Sequence, residues 1–147
     1  MDLRIFRPQS REEALERIRE TNADERSYPY MVPKAVSLCI EIRDLNARDA
    51  NILKQEALSK GGDASISMTA YALEGASRVL LMGSLKSVEE TAGKLGVQPI
   101  RRLKDLSVEI RNSIKNYMGT SVFKAGGSVF DRTAIMGILN VTPDSFY

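Results

Sequence analysis

The chain has no histidine and no tryptophan, and Cys39 is the single cysteine among its 147 residues. Without histidine, the chain cannot contain a Ser–His or Cys–His nucleophile system, nor a histidine-ligated zinc site. One thiol cannot form an internal disulfide, and it cannot make a zinc site alone. These absences exclude the most familiar hydrolase and zinc-protein chemistries for the residues of this chain.

Long apolar runs are also missing. The longest aliphatic run, Val79–Met82, is four residues, whereas a helix that spans a bilayer needs about 20. The first 13 residues, MDLRIFRPQSREE, contain no apolar core of a secretory signal. We therefore expect a soluble, cytoplasmic protein with no membrane partner.

Neither sign of charge dominates, because 21 lysines and arginines face 19 aspartates and glutamates, for a net charge of +2. That excess is too small to indicate a nucleic-acid partner. The apolar fraction of 43% is typical of a globular protein. A chain of this length buries about two thirds of its unfolded surface, so it can form a core without disulfides or metals.

Four amphipathic helices are predicted by start signals and by apolar residues that recur at steps of three and four. Ser10 and Glu13 have capping-box spacing, and Asn46 can cap the second helix. Either Ser84 or Ser87 starts the third helix. The predicted helices lie near 10–21, 46–61, 84–96 and 103–117.

Short strands are predicted between and before these helices, at 3–7, 35–43, 64–68 and 78–83, with a possible edge strand at 97–100. The strand at 78–83 lacks polar alternation, so we expect it to be central and covered on both faces. From 35 to 100 the order is strand, helix, strand, strand, helix, possible strand. This order predicts an α/β (α+β) fold, a small ferredoxin-like two-layer sandwich of helices on one sheet.

The pattern changes after Tyr117. Two alternating segments flank Ala125-Gly126-Gly127, which predicts a β-hairpin within 121–131. A short apolar strand at 135–139 then leads into the polar sequence Asn-Val-Thr-Pro-Asp-Ser. We place a domain boundary near 118–120, so that 1–118 form an α/β domain of unassigned role and 119–147 form a second unit.

The segment IMGILNVTPDSF, residues 135–146, resembles the first barrel strand and first loop of the dihydropteroate synthase family. The preceding hairpin, SVFKAGGSVFDRT, is similar to the one before that strand in the family. Within the first 118 residues, MVPKAV, ANILKQEALSKGGDAS and LLMGSLK resemble an extra N-terminal domain of some bacterial members. The resemblance implies that 119–147 begin a pterin-binding (β/α)8 TIM barrel.

In that family, the barrel is a transferase of folate biosynthesis and is commonly a homodimer. It condenses 6-hydroxymethyl-7,8-dihydropterin pyrophosphate with p-aminobenzoate, and these substrates are the partners that the resemblance implies. This chain stops at Tyr147, before seven further strands of a fold that needs about 250 residues. We therefore expect the N-terminal portion of a longer enzyme, inactive alone.

The resemblance also assigns site residues for the intact enzyme. It implies that Asn140, at the end of the first barrel strand, contributes to the Mg2+ and pyrophosphate site; a hard cation takes oxygen ligands. It implies that a mobile first loop closes over the substrates and excludes water, with Phe146 lining the p-aminobenzoate site. The loop residues assigned to substrate binding are Thr142, Pro143, Asp144, Ser145 and Phe146.

An alternative function does not depend on a barrel. A small α/β sandwich with no histidine and no convergent carboxylates is a plausible non-catalytic module for dimerisation or regulatory interaction, formed by residues 1–118. A cluster of basic residues leaves two interpretations: an anion-binding patch or, as we favour because acids are adjacent, a solvated helix face. Its members are Arg101, Arg102, Lys104, Arg111 and Lys115.

Other features resemble sites more weakly. Gly93-Lys94 lacks the flanking residues of a phosphate-binding loop. Gly61-Gly62 allows either helix termination, which we favour, or close approach to a ligand. Cys39 lies on the polar phase of its strand, yet we expect it to be a small buried apolar residue.

Overall fold

The structure, a computed structural model, describes residues 2–119, 123–130, 135 and 137. The helices are α1 (Arg11–Arg19), α2 (Tyr28–Ala35), α3 (Ala47–Ser59), α4 (Met68–Tyr71), α5 (Leu85–Gly96) and α6 (Arg101–Met118). The strands are β1 (Ser37–Asn46), β2 (Asp63–Ser65), β3 (Ala76–Ser84), β4 (Phe123–Ala125) and β5 (Ser128–Phe130). A short 3-10 turn, Glu25–Ser27, precedes α2.

β1, β2 and β3 form an antiparallel sheet in the order β1-β3-β2. The predicted succession of strand, helix, strand, strand and helix is therefore confirmed, with a short extra helix, α4, between β2 and β3. The prediction of a possible further strand at 97–100 is wrong. The backbone there continues the turn of α5, with the Gln98 N–H donating to the Leu95 carbonyl at 3.2 Å, and Ile100 is the N-cap of α6.

One face of the sheet packs against the helix layer. The side chains at the centre of this interface have an exposed fraction of zero: Leu53 on α3, Val79 and Leu81 on β3, Leu85 and Leu95 on α5, and Leu103 on α6. The core therefore lies between the sheet and helices α3, α5 and α6, as in a two-layer sandwich.

β3 is central, as predicted, but it is not covered on both faces. Along β3, Ser77, Val79 and Leu81 are buried, whereas Arg78 and Leu80 are exposed. The alternation arises because successive strand residues point to opposite faces and the helices cover one of them. The apolar run at 79–82 places apolar side chains on both faces of the sheet, although helices cover only one of these faces.

Side-chain caps begin α1, α3 and α5 as the sequence predicts. The pairs, acceptor oxygen first, are Ser10 Oγ with Glu13 N (3.1 Å), Asn46 Oδ1 with Asp49 N (2.8 Å) and Ser84 Oγ with Ser87 N (3.1 Å). Of the two candidate starts for α5, Ser84 is the cap. At the end of α3, Gly61 adopts a φ of +73°, a left-handed conformation that glycine accepts without strain.

The N-terminal region differs from the prediction in two ways. The prediction of a strand at 3–7 is wrong, because residues 2–9 have no regular structure and Leu3 and Ile5 are exposed. In addition, the sequence did not predict α2, which contains Pro33, a residue without the N–H that a helix interior uses. α2 forms because Val32 and Ala35 pack against the core.

The predicted strand at 64–68 is shorter in the structure, because Ser67 caps α4 instead: its Oγ accepts from the Ala70 N–H at 3.1 Å. The predicted hairpin is confirmed for 123–130, where β4 pairs with β5 across Gly126 and Gly127. The expected strand at 135–139 falls outside the described residues except for 135 and 137. The start of a barrel at these positions therefore stays a prediction.

Within the described ranges, none of the helices combines the length and the apolar character that crossing a bilayer requires.

Candidate functional site

The site residues assigned by resemblance lie outside the described residues. They are Asn140, Thr142, Pro143, Asp144, Ser145 and Phe146. The functional features that can be described geometrically belong to residues 2–119.

A cavity of about 530 Å³ opens between the start of α1, the middle of α5 and the C-terminal half of α6. Its walls carry three cationic side chains and one carboxylate over two apolar residues. The side chains involved are Arg11, Glu89, Arg111, Lys115, Ile114 and Met118. We call this cavity, defined by these six residues, the basic cavity.

Three helices, α1, α5 and α6, position the charged groups of the basic cavity. Arg11 is the first residue of α1, directly after the Ser10 cap, and its Nη2 lies 2.6 Å from Glu89 Oε1 on α5. Arg111 and Lys115 are four residues apart on α6, so they lie on the same side of that helix. Neither of these two side chains forms an ion pair in the part of the chain that the structure describes.

The predicted basic cluster is therefore divided between two environments. Arg101 is a solvated surface residue, 94% exposed, with its Nε 3.9 Å from Asp105 Oδ2, and Arg102 Nε lies 3.7 Å from Asp49 Oδ2. These contacts agree with the favoured interpretation of a solvated helix face. Arg111 and Lys115, at the other end of α6, line the basic cavity instead.

A second cavity, of about 470 Å³, lies beside α6 along the edge of β1 that pairs with no strand among the described residues. Arg7 lies at one end, where its Nη2 donates to the Ser37 carbonyl at 3.3 Å. Tyr117, the last residue of the predicted apolar stripe of α6, also lines this cavity and is 72% exposed. In a complete ferredoxin-like sheet, a fourth strand would pair with this edge. We call it the β1-edge groove.

Cys39 is exposed, so the expectation that it is buried is wrong. It pairs across the sheet with Met82 of β3, on the face opposite the helix layer. The polar phase of the strand alternation predicted this orientation, and the general tendency of cysteine to be buried did not override it.

Asp49 is a fully buried carboxylate that the sequence analysis did not single out. Its Oδ2 accepts from Asn46 Nδ2 at 2.7 Å while Asn46 Oδ1 accepts from the Asp49 N–H, which makes a reciprocal cap at the start of α3. Arg48 Nε lies 3.5 Å from Asp49 Oδ1. The spacing of Asn46 and Asp49 was the signal that could have identified this cap, whose role is structural.

Both glycine-containing candidates are structural. Gly93 and Lys94 lie inside α5 rather than in a loop, so they cannot surround a phosphate as a phosphate-binding loop does. A Cβ on Gly62 would come within 2.9 Å of the Met82 carbonyl oxygen. The close approach that Gly62 allows is therefore to the backbone of β3, not to a ligand.

Two surface carboxylates, Asp63 and Glu41, have pKa values lowered by basic partners. Hydrogen bonds from Lys54 and from the Ala64 N–H lower the pKa of Asp63. A hydrogen bond from Arg43, with the nearby charges of Arg43 and Arg78, lowers the pKa of Glu41. Within the described ranges, no group of three or more histidine, cysteine, aspartate or glutamate side chains is arranged to hold a metal ion.

No protein-family model and no solved structure matches the chain. Three curated proteins do match it. The chain is 34% identical over 116 residues to a probable bifunctional folylpolyglutamate synthase/dihydropteroate synthase of Halobacterium salinarum. It is 32% identical over 146 residues to a protein of the same name in Haloferax volcanii. It is 36% identical over 118 residues to the bifunctional dihydropteroate synthase/dihydropteroate reductase of Helicobacter pylori.

The predicted resemblance to dihydropteroate synthase is confirmed. The three matches cover 78%, 90% and 80% of this chain, in the order Halobacterium, Haloferax, Helicobacter. The Haloferax match extends beyond 118 residues and therefore includes part of 119–147. The chain spans only 14%, 17% and 28% of the length of these dihydropteroate synthase proteins, in the same order.

Proposed function

We propose that this chain is the N-terminal portion of a dihydropteroate synthase, a transferase of folate biosynthesis. The intact enzyme would condense 6-hydroxymethyl-7,8-dihydropterin pyrophosphate with p-aminobenzoate. The observation that carries the proposal is the similarity over most of the chain to three proteins whose names include this activity. The resemblance of residues 135–146 to the family's first strand and loop supports it independently.

In this proposal the chain is divided near 118–120, and 119–147 supply the hairpin, first strand and first loop of the barrel. Asn140 would hold Mg2+ beside the pyrophosphate through its carboxamide oxygen, a donor that this hard cation accepts. Bound there, Mg2+ would neutralise the charge of the leaving pyrophosphate. Residues 142–146 would close over both substrates, and the intact enzyme would be a homodimer.

The 147 residues alone are proposed to be inactive, because they span less than a third of any of the three relatives. Most of a barrel is needed to surround a pterin and p-aminobenzoate. Adding the pterin pyrophosphate, Mg2+ and p-aminobenzoate to the isolated chain should therefore give no dihydropteroate. Calorimetry with the pterin pyrophosphate and Mg2+ should likewise give no micromolar binding.

The test is to read the source gene past codon 147 and to express the complete reading frame. Dihydropteroate formation by that product supports the proposal, and its absence from a folded product that contains the barrel contradicts it. Asn140→Ala should lower kcat/KM about tenfold or more and raise the Mg2+ concentration needed. Asn116→Ala, at an exposed position on α6, is the matched control and should leave both unchanged.

A second candidate function is self-association of residues 1–118, and the β1-edge groove favours it. An unpaired strand edge offers backbone N–H and carbonyl groups to a second chain, and the groove adds the exposed ring of Tyr117. Sedimentation of residues 1–118 should then give a dimer that Tyr117→Asp disrupts. A strictly monomeric species at high concentration contradicts this function and leaves the synthase proposal standing.

A further inference from the structure

We propose that the basic cavity binds a small organic phosphate, with the phosphate held by Arg111, Lys115 and Arg11 and the organic part resting on Ile114 and Met118. This inference concerns the domain formed by the first 118 residues. It does not depend on the proposed synthase activity, because every residue involved lies in the described part of that domain.

The charge of the cavity favours a dianion. Three cations face a single carboxylate, Glu89, which leaves an excess of two positive charges around one concave space. A phosphate monoester carries a charge of about −1.5 to −2 at neutral pH. Guanidinium groups bind phosphate oxygens through paired N–H donors. The excess of two positive charges therefore matches the charge of a phosphate better than it matches the single negative charge of a carboxylate.

The arrangement of these cations differs from that of ordinary surface cations. Arg111 and Lys115 converge from one helix, and Arg11 reaches the same space from another element far away in sequence. The hydrogen bond from Arg11 Nη2 to Glu89 Oε1, at 2.6 Å, fixes the Arg11 guanidinium at the rim. Arg101 provides the contrast, because it extends into solvent from the other end of α6.

The size and floor of the cavity favour an organic ligand over an inorganic ion. Its volume of about 530 Å³ lies within the range of about 300–1,000 Å³ that is usual for small-molecule sites. Ile114 is buried and Met118 is half-buried, and both line the cavity between the charged groups. An apolar body attached to the phosphate would cover these two side chains and gain affinity from their burial.

The experiment is isothermal titration calorimetry of the 147-residue chain with phenyl phosphate, inorganic phosphate and benzoate at low ionic strength. Phenyl phosphate should bind saturably with one site and a Kd below about 1 mM, and inorganic phosphate should bind more weakly. Failure of phenyl phosphate to bind contradicts the site. Benzoate binding as tightly as phenyl phosphate contradicts the assignment of a phosphate.

Two sets of variants test the location of the site. Arg111→Gln or Lys115→Gln should each weaken phenyl phosphate binding about tenfold, since each removes a charge-assisted hydrogen bond. Arg101→Gln, which removes the same charge from the same helix, should leave the affinity unchanged. An equal loss in Arg101→Gln would mean that the phosphate responds only to net charge, and it would overturn the proposal.

In the second set, the substitution at the cavity should strengthen phenyl phosphate binding instead of weakening it. Glu89→Gln removes the competing negative charge, while the glutamine side-chain oxygen can still accept the hydrogen bond from Arg11, so binding should tighten several-fold. Glu90→Gln makes the same change in net charge one residue away, on an exposed side chain that faces Lys86 at 3.6 Å, and it should have no effect. Equal effects of the two substitutions would contradict a site at the basic cavity. Far-ultraviolet circular dichroism would verify that all these surface variants remain folded.

Discussion

Leu80 and Leu81 are adjacent on β3 and have the same side chain, yet Leu81 is fully buried and Leu80 is 39% exposed. The two residues point to opposite faces of one sheet. Helices α3 and α5 cover the face of Leu81. The opposite face shows Cys39, Leu80 and Met82 in neighbouring rows of the sheet, of which Cys39 and Leu80 are exposed. Burial at these positions is thus set by what covers each face rather than by residue type.

The same comparison applies to charge. Asp49 on the helix side and Glu41 on the open side are each close to two arginines. Asp49 is fully buried between Arg48 and Arg102, at 3.5 and 3.7 Å, whereas Glu41 contacts Arg43 and Arg78 at 3.1 and 3.0 Å from an exposed position. The shorter contacts belong to the exposed carboxylate. Because solvent screens exposed ion pairs, distance alone does not rank their contributions.

The sharpest test of the comparison is a pair of truncations on β3. Leu81→Ala should lower the free energy of unfolding by about 3 kcal/mol, since it leaves a cavity in a packed core. Leu80→Ala removes the same atoms from a partly solvated position and should cost less than about 1 kcal/mol. Urea unfolding followed by circular dichroism measures both. Equal losses would mean that the open face is covered in solution, for example by a second copy.

The next test compares the two carboxylates. Asp49→Ala should cost about 2 kcal/mol, because it removes the buried acceptor of the Asn46 amide and with it the reciprocal cap of α3. Glu41→Ala should have no measurable effect at moderate salt. Thermal unfolding of both variants at pH 7 shows which substitution costs more stability. A larger loss of stability in Glu41→Ala than in Asp49→Ala would contradict this prediction.

Acidification supplies a control for that pair. The lowered pKa of Glu41 means that any stabilisation by its carboxylate is present above the ordinary glutamate pKa. It is lost as the pH falls through the lowered pKa. At low ionic strength, where the exposed pair is least screened, the wild-type protein and Glu41→Ala should therefore differ least in strongly acidic solution. A difference that grows on acidification would show that Glu41 acts through packing rather than through charge.

Local signals in the sequence were sufficient to predict much of the helix–sheet layer. The caps Ser10, Asn46 and Ser84 and the stop at Gly61 are short-range features, and the structure contains all four. α2 was missed because prolines oppose a helix locally, and the packing of Val32 outweighs that preference. The possible strand at 97–100 was predicted from a local pattern of only four residues, in which Pro99 already confined any strand to an edge or to its first residue.

The basic cavity shows why sites are harder to predict than elements. The sequence shows Arg111 and Lys115 as basic residues of one predicted helix. Arg101 and Arg102 are basic residues of the same cluster, so nothing in the sequence distinguishes them from the first two. What separates the two groups is the ion pair between Arg11 of α1 and Glu89 of α5, which lies beside the first group only. Such convergence of distant segments leaves no short-range signal.

Cys39 gives the smallest expected effect on stability and the most direct probe of the open face. Cys39→Ser should change the unfolding midpoint very little, because an exposed thiol has little buried contact to lose. In the folded protein, Cys39 should react with a maleimide at a rate close to that of the urea-unfolded chain. Strong protection at low protein concentration would mean that the chain covers its own open face. Protection that increases with protein concentration would instead indicate cover by a second molecule, and the β1-edge variant Tyr117→Asp would then show whether the groove and the open face belong to the same interface.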